Sequence, residues 1–199
     1  MQSGSPIAAE AGPASGDARA RRRCDQRLAR SRALTYLNLD EIKALLAAPD
    51  RSTWLGRRDH AMPLLAVLTG VRVTELVTLT IADVTLGAGA HIKVQGKGRK
   101  RRATTLTPET VAVLRQWVKE LATQPHEPLF PTRQRQPITR SGVRQLLTKY
   151  TAIAATSCPS LNDKPISPHT LRHYVDGWVM WPPGVFPLLT GALGLVAAT

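Results

Sequence analysis

Residues 91–107, HIKVQGKGRKRRATTLT, alternate apolar and polar side chains on both sides of a Gly-flanked basic turn. Period-two alternation is what a half-buried strand needs, and two such runs around a polar, Gly-containing turn read as a β-hairpin. Ile92 and Val94 then face the core. The patterned segments on either side repeat at helical spacing instead. The chain is thereby constrained to an α+β fold that is mainly α-helical, with one small antiparallel β-sheet of two or three strands at its edge.

The helical segments carry their own start and stop signals. In LTYLNLDEIKALLAA, Asn38 caps a helix with Glu41 three residues on, Leu39, Ile42, Leu45 and Leu46 make the apolar stripe, and Pro49 and Asp50 end it. A second helix is expected over roughly Asp59 to Thr69, closed by Gly70, with Pro63 in its first turn or at a kink. A short third helix covers Thr74 to Leu79. After the hairpin, Thr107 caps and Pro108 opens a helix with Val111, Leu114, Val118 and Leu121 on one face. Another runs from about Thr139 to Thr156 with Val143, Leu146, Leu147, Tyr150 and Ile153 inward, and Ser167-Pro168 opens the last. Trp54 and Trp117 fall in apolar patterns and read as core. His60, His91 and His126 have no ligand-like neighbours, and there is no internal repeat.

Charge points to the partner. Twenty-seven Lys and Arg against 14 Asp and Glu give a formal charge of +13 over 199 residues, which favours a polyanion: nucleic acid first, an anionic membrane surface second. Aromatic residues are only 5%, which disfavours a single-strand binder that stacks bases on exposed rings. Cys24 and Cys158 stand far apart, so no disulfide framework or zinc site is indicated and a reducing, cytoplasmic setting is expected. The N-terminus places its charge after the small residues, the wrong order for a secretory signal. Residues 1–33, poor in large apolar side chains, read as a disordered basic arm that is either a solvated linker or a phosphate contact.

Three stretches carry chemistry: TGVRVTEL at a helix boundary, GKGRKRR on the hairpin turn and SPHTLRH at a helix start. In this order they resemble the catalytic domain of tyrosine recombinases, the phage integrase family, from about Thr35 to His173. The resemblance implies cutting and rejoining of double-stranded DNA through a tyrosine bonded covalently to a backbone phosphate, with no cofactor and no metal. It implies that Arg72 and Arg172 clamp the phosphate oxygens, where a planar guanidinium gives paired hydrogen bonds. Lys97 matches the residue that protonates the departing sugar oxygen, and His169 the imidazole that bonds the phosphate. Glu75 supports a guanidinium from behind, and His173 is either a similar support or simply a helix histidine. Arg99, Lys100, Arg101 and Arg102 are expected on the DNA backbone, the rival reading of that run being a solvated turn.

The resemblance stops after the H-x-x-R-H stretch. The family continues into an L-G-H type box and then the tyrosine nucleophile, whereas here the chain reads YVDGWVMWPPGVFPLLTGALGLVAAT and no tyrosine follows Tyr174. Tyr174 lies two residues past Arg172 on one helix and faces elsewhere, and Tyr36 and Tyr150 sit in apolar helical patterns. The expectation is an integrase-like catalytic domain over 34–174, incomplete at both ends, followed by a non-family apolar tail over 175–199 after a change of reading frame or gene boundary. Pro182, Pro183 and Pro187 break that tail into runs shorter than the ~20 apolar residues of a membrane span, so no membrane partner is expected. Three functions are then open: a recombinase that receives its tyrosine from a neighbouring subunit in a homo-oligomer on DNA, a catalytically dead duplex-binding remnant of a mobile element, and a membrane-associated basic protein.

Overall fold

The computed structural model describes residues 37–96, 101–121 and 124–172. The basic arm over 1–33, Tyr36, the tail over 175–199 and, in the motifs, Lys97, Arg99, Lys100, His173 and Tyr174 lie outside the described residues. Helix α1 is Leu39–Ala47, and it opens on a reciprocal cap: the Glu41 amide donates to Asn38 Oδ1 at 2.9 Å while the Asn38 amide donates to Glu41 Oε2 at 2.8 Å.

Helix α2 is Trp54–Thr69 and begins at Trp54 rather than the expected Asp59, because Thr53 Oγ1 accepts the Gly56 amide at 3.0 Å and caps it there. The helix is buried on almost every side from Arg58 to Leu68, so no stripe marks its first turn in the sequence. Pro63 lies well inside it, where the bond to the Asp59 carbonyl cannot form. Gly56 is required by close approach, since a Cβ there would run into the Asp50 carbonyl. Gly70 ends α2 in the left-handed region at φ 62°, its amide donating to the Ala66 carbonyl at 3.0 Å.

Helix α3, Val73–Leu76, stops short of the expected Leu79 because the chain is drawn off to another partner: the Leu129 amide donates to the Leu79 carbonyl at 2.8 Å and the Ile81 amide to the Glu127 carbonyl at 3.1 Å. A 3-10 turn, Ile81–Asp83, leads to a three-stranded antiparallel sheet in the order β1 (Val84–Thr85), β2 (His91–Gln95), β3 (Arg101–Thr105). Ile92 pairs with Thr104 and Val94 with Arg102, and directly paired residues share a face. Ile92 and Val94 are 0% and 2% exposed, as their alternation requires.

Helix α4 is Pro108–Leu121 and buries Thr110, Leu114, Trp117 and Leu121, with Val111 and Val118 only partly covered; its inner face is turned toward Trp117 relative to the expected stripe. Trp117 donates from Nε1 to the Leu129 carbonyl at 2.8 Å and meets Trp54 with ring centroids 5.2 Å apart. Helix α5, Arg140–Ala154, is capped by Thr139 and buries Val143, Leu147, Tyr150 and Ala154. Ile153, expected inward, is 42% exposed: the stripe continues from Tyr150 to Ala154 one turn on, which leaves Ile153 on the flank. Among the described residues no helix is long and apolar enough to cross a membrane.

Two buried polar features tie α2 to its neighbours. Arg58 donates from Nε to Asp59 Oδ1 at 2.8 Å and from Nη1 to the Pro131 carbonyl at 2.8 Å, and Tyr150 on α5 donates to Asp59 Oδ2 at 2.8 Å. Burial and the Asp59 carboxylate push the Tyr150 hydroxyl far above its ordinary value, so it stays a donor. His60 Nδ1 lies 2.8 Å from the Leu46 carbonyl on α1 and donates to it, while Nε2 is buried without a hydrogen-bond partner. Burial holds this imidazole below its ordinary pKa, overcoming the Leu46 carbonyl, which pulls the other way. The unfolded chain therefore takes up a proton at His60 near the ordinary value of about 6.5 while the folded chain resists it, so stability present at pH 7.5 is lost as the pH falls below that value. His60→Asn, which keeps a donor for Leu46, is expected to flatten the drop in unfolding free energy between pH 7.5 and 5.5, followed by urea titration, by at most about 1.4 kcal/mol. An unchanged drop would mean that the ring titrates freely in the fold.

Candidate active site

Arg72 owes its position to the end of α2. After the left-handed Gly70, Val71 is buried at 2% exposure and Arg72 follows in extended conformation as the residue capping α3. Glu75, one turn on, accepts the Arg72 amide on Oε2 at 2.9 Å and one guanidinium nitrogen on Oε1 at 3.3 Å. The carboxylate is buried, and the Arg72 side chain is half exposed above it.

A second guanidinium reaches the same carboxylate from the sheet. Arg102 Nη1 donates to Oε1 at 3.1 Å and Nη2 to Oε2 at 2.9 Å, a bidentate pair between β3 and α3. The register explains it: Arg102 stands opposite the buried Val94 and so lies on the face that carries it toward Glu75, although its side chain stays 40% exposed, whereas Arg101 stands opposite the exposed Gln95 on the other face. Burial alone would push the Glu75 carboxyl up, but the Arg72 amide and the Arg102 guanidinium outweigh it and hold the group below the ordinary carboxylate range. Glu75 is therefore ionised at neutral pH.

The last described helical stretch, 168–172, carries His169 and Arg172. Ser167 starts it: the Thr170 amide donates to the Ser167 carbonyl at 2.9 Å, and the Ser167 amide donates to Thr170 Oγ1 at 3.2 Å. Leu171 is 2% exposed and anchors the stretch in the core, which leaves His169 exposed and Arg172 half-buried. Pro168 and Leu171 line one apolar cavity with Val71, Val73 and Leu76, so the segments bearing Arg72 and Arg172 pack on a common wall. The approach to this stretch is fixed by Glu41, fully buried on α1, which accepts from Ser160 Oγ at 2.6 Å and Lys164 Nζ at 2.7 Å. Burial raises the Glu41 pKa, but these donors and the Asn38 amide outweigh it, leaving a net lowering.

Arg72, Glu75 and Arg102 thus form one contacting cluster, and the His169–Arg172 stretch packs beside the helix that carries it. The Glu41 grip and the inward turn of Arg102 were not anticipated from the sequence. The second had a signal, because Ile92 and Val94 facing in fixes which residues of β3 face in once the turn length is known. The first had none: its partners are 119 and 123 residues apart.

Residues 35–179 match the model of the phage integrase family. The chain is 46% identical over 140 residues to the integrase/recombinase y4rC of Sinorhizobium fredii, a match covering 70% of this chain and 42% of that protein. It is 36% identical over 138 residues to the tyrosine recombinase XerD of Pseudomonas putida, covering 67% of this chain and 44% of that protein. Among solved structures, the XerH site-specific recombinase bound to its palindromic difH substrate in a post-cleavage complex superposes with a TM-score of 0.62 at 25% identity, over 82% of this chain and 47% of that one. The chain spans less than half the length of these relatives.

Proposed function

Because the chain belongs to the phage integrase family, we propose that residues 34–174 bind duplex DNA and grip one backbone phosphate as part of a site-specific tyrosine recombinase, without a nucleophile of their own. The observation that carries this reading is the Arg72–Glu75 cluster packed over the same apolar wall as the His169–Arg172 stretch. Arg72 and Arg172 hold the non-bridging oxygens, where negative charge builds up as the phosphorus is attacked. His169 bonds the same phosphate, with His173 in support, and Lys97 gives its proton to the sugar oxygen that leaves as the phosphotyrosyl bond forms. Arg99, Lys100 and the outward Arg101 neutralise neighbouring phosphates. The likeness to XerH, solved on its DNA substrate, supports duplex DNA as the partner.

The attacking tyrosine is then supplied from outside these residues. No tyrosine follows Tyr174 within the 199 residues, and the Tyr150 hydroxyl is buried and donates to Asp59. A phosphate grip without an attacking group binds but does not cut. The alternative, a duplex-binding remnant, shares every contact and differs only in whether a partner completes it.

Duplex binding tests the grip. Arg72→Ala and Lys100→Ala are each expected to weaken binding at low salt and to reduce the slope of log K against log salt by about 0.9, one phosphate contact each. Wild-type affinity for both variants at low salt would refute the footprint. On a nicked trapping substrate, the chain alone is expected to give no covalent adduct on a denaturing gel. An adduct that persists in Tyr174→Phe would show that a nucleophile has been overlooked.

A further inference from the structure

We propose that Arg102 acts inside the protein as a positioning residue: by occupying both oxygens of the buried Glu75 carboxylate it fastens the β2–β3 hairpin to the α3 cap and keeps Arg72 free for phosphate. The inference rests on the phosphate-gripping reading above and gives Arg102, whose side chain is 40% exposed, an internal partner in place of the DNA backbone.

Three observations carry it. Glu75 is shared unequally, since Arg102 makes two contacts at 2.9 and 3.1 Å while the Arg72 side chain makes one at 3.3 Å. A carboxylate offers its best bond to a guanidinium as a parallel pair, and that geometry is taken by Arg102. Arg72, held mainly through its backbone amide, keeps a half-exposed guanidinium whose other donors stay available. The register makes the arrangement a property of the strand: Arg102 stands across from buried Val94, next to the pair of Gln95 with Arg101. Strand β3 is therefore pinned to the element bearing Arg72.

Without Arg102, the Glu75 carboxylate has Arg72 as its remaining guanidinium neighbour among the contacts described, and it closes on Arg72 in the bidentate geometry. The phosphate then has to compete with an internal partner for the same donors. Removal of the carboxylate charge as well releases Arg72 again. A residue that simply touched DNA would show none of this dependence on Glu75.

Two measurements on the full 199-residue chain test the proposal. Hydrogen exchange without DNA is the first: Arg102→Ala is expected to speed exchange at β3 amides and at the Arg72 amide about tenfold or more, while Arg101→Ala leaves them unchanged. Unchanged exchange in Arg102→Ala overturns the proposal whether or not the protein binds DNA. The second is duplex affinity at low salt in a cycle of Arg102→Ala and Glu75→Gln. Arg102→Ala alone is expected to lose affinity several-fold, and adding Glu75→Gln to restore most of it, by a larger factor than Glu75→Gln gives in the wild type. Equal factors in both backgrounds mark Arg102 as a direct DNA contact and refute the positioning role. If the exchange result is as expected but the wild type shows no salt-dependent duplex binding, the pinning of Arg72 stands and the DNA reading falls.

Discussion

Asp59→Ala is expected to lower the unfolding free energy by about 3–5 kcal/mol, a large share of the roughly 5–15 kcal/mol that holds a domain together. Asp59 is 2% exposed and is the anion for Arg58, itself 5% exposed, while its other oxygen receives the Tyr150 hydroxyl. Truncation leaves a guanidinium in the interior with only the Pro131 carbonyl as a described partner, and strands a buried hydroxyl. The penalty arises from the uncompensated charge, so replacing all three groups together (Arg58→Met, Asp59→Leu, Tyr150→Phe) is expected to cost less than Asp59→Ala alone. Urea unfolding of the two variants decides it. A triple variant less stable than the single one would show that the network contributes more than mutual neutralisation.

Trp117→Ala is expected to be comparably damaging, at about 3–5 kcal/mol. The ring is 2% exposed, it fills the space between α2 and α4 against Trp54, and its N–H satisfies the Leu129 carbonyl. Trp117→Phe keeps most of the volume but not the donor, so it separates the two losses: about 1–3 kcal/mol is expected from the orphaned carbonyl and the smaller ring. Trp54, only partly buried, is expected to tolerate alanine better than Trp117 does. Equal unfolding midpoints for Trp54→Ala and Trp117→Ala would contradict the assignment of Trp117 as the centre of that contact.

Much of this architecture is legible in the sequence because local chemistry dictates it. Asn38 with Glu41, Thr107 before Pro108 and Ser167 before Pro168 announce helix starts through side-chain oxygens that satisfy free amides, and Gly70 announces an end through a conformation other residues avoid. The hairpin is legible because strand side chains alternate by geometry. What cannot be read is whatever depends on distant partners. Helix α2 has no polar face to mark its beginning, so Thr53 is inconspicuous until the fold shows it capping Gly56. Asp59 and Tyr150 are 91 residues apart, and nothing local to either names the other. At the candidate site the same division holds: Arg72 with Glu75 is a within-turn relation visible from spacing, while the claim of Arg102 on that carboxylate depends on the length of a turn that composition does not fix.

The salt link from Glu41 to Lys164, with Ser160 beside it, closes the described polypeptide into a loop whose clasp sits at its two extremities. Whoever shortens this protein from the front for expression or crystallisation therefore works on the back as well: a version that starts downstream of Glu41 forfeits the hook from which the imidazole-bearing end hangs.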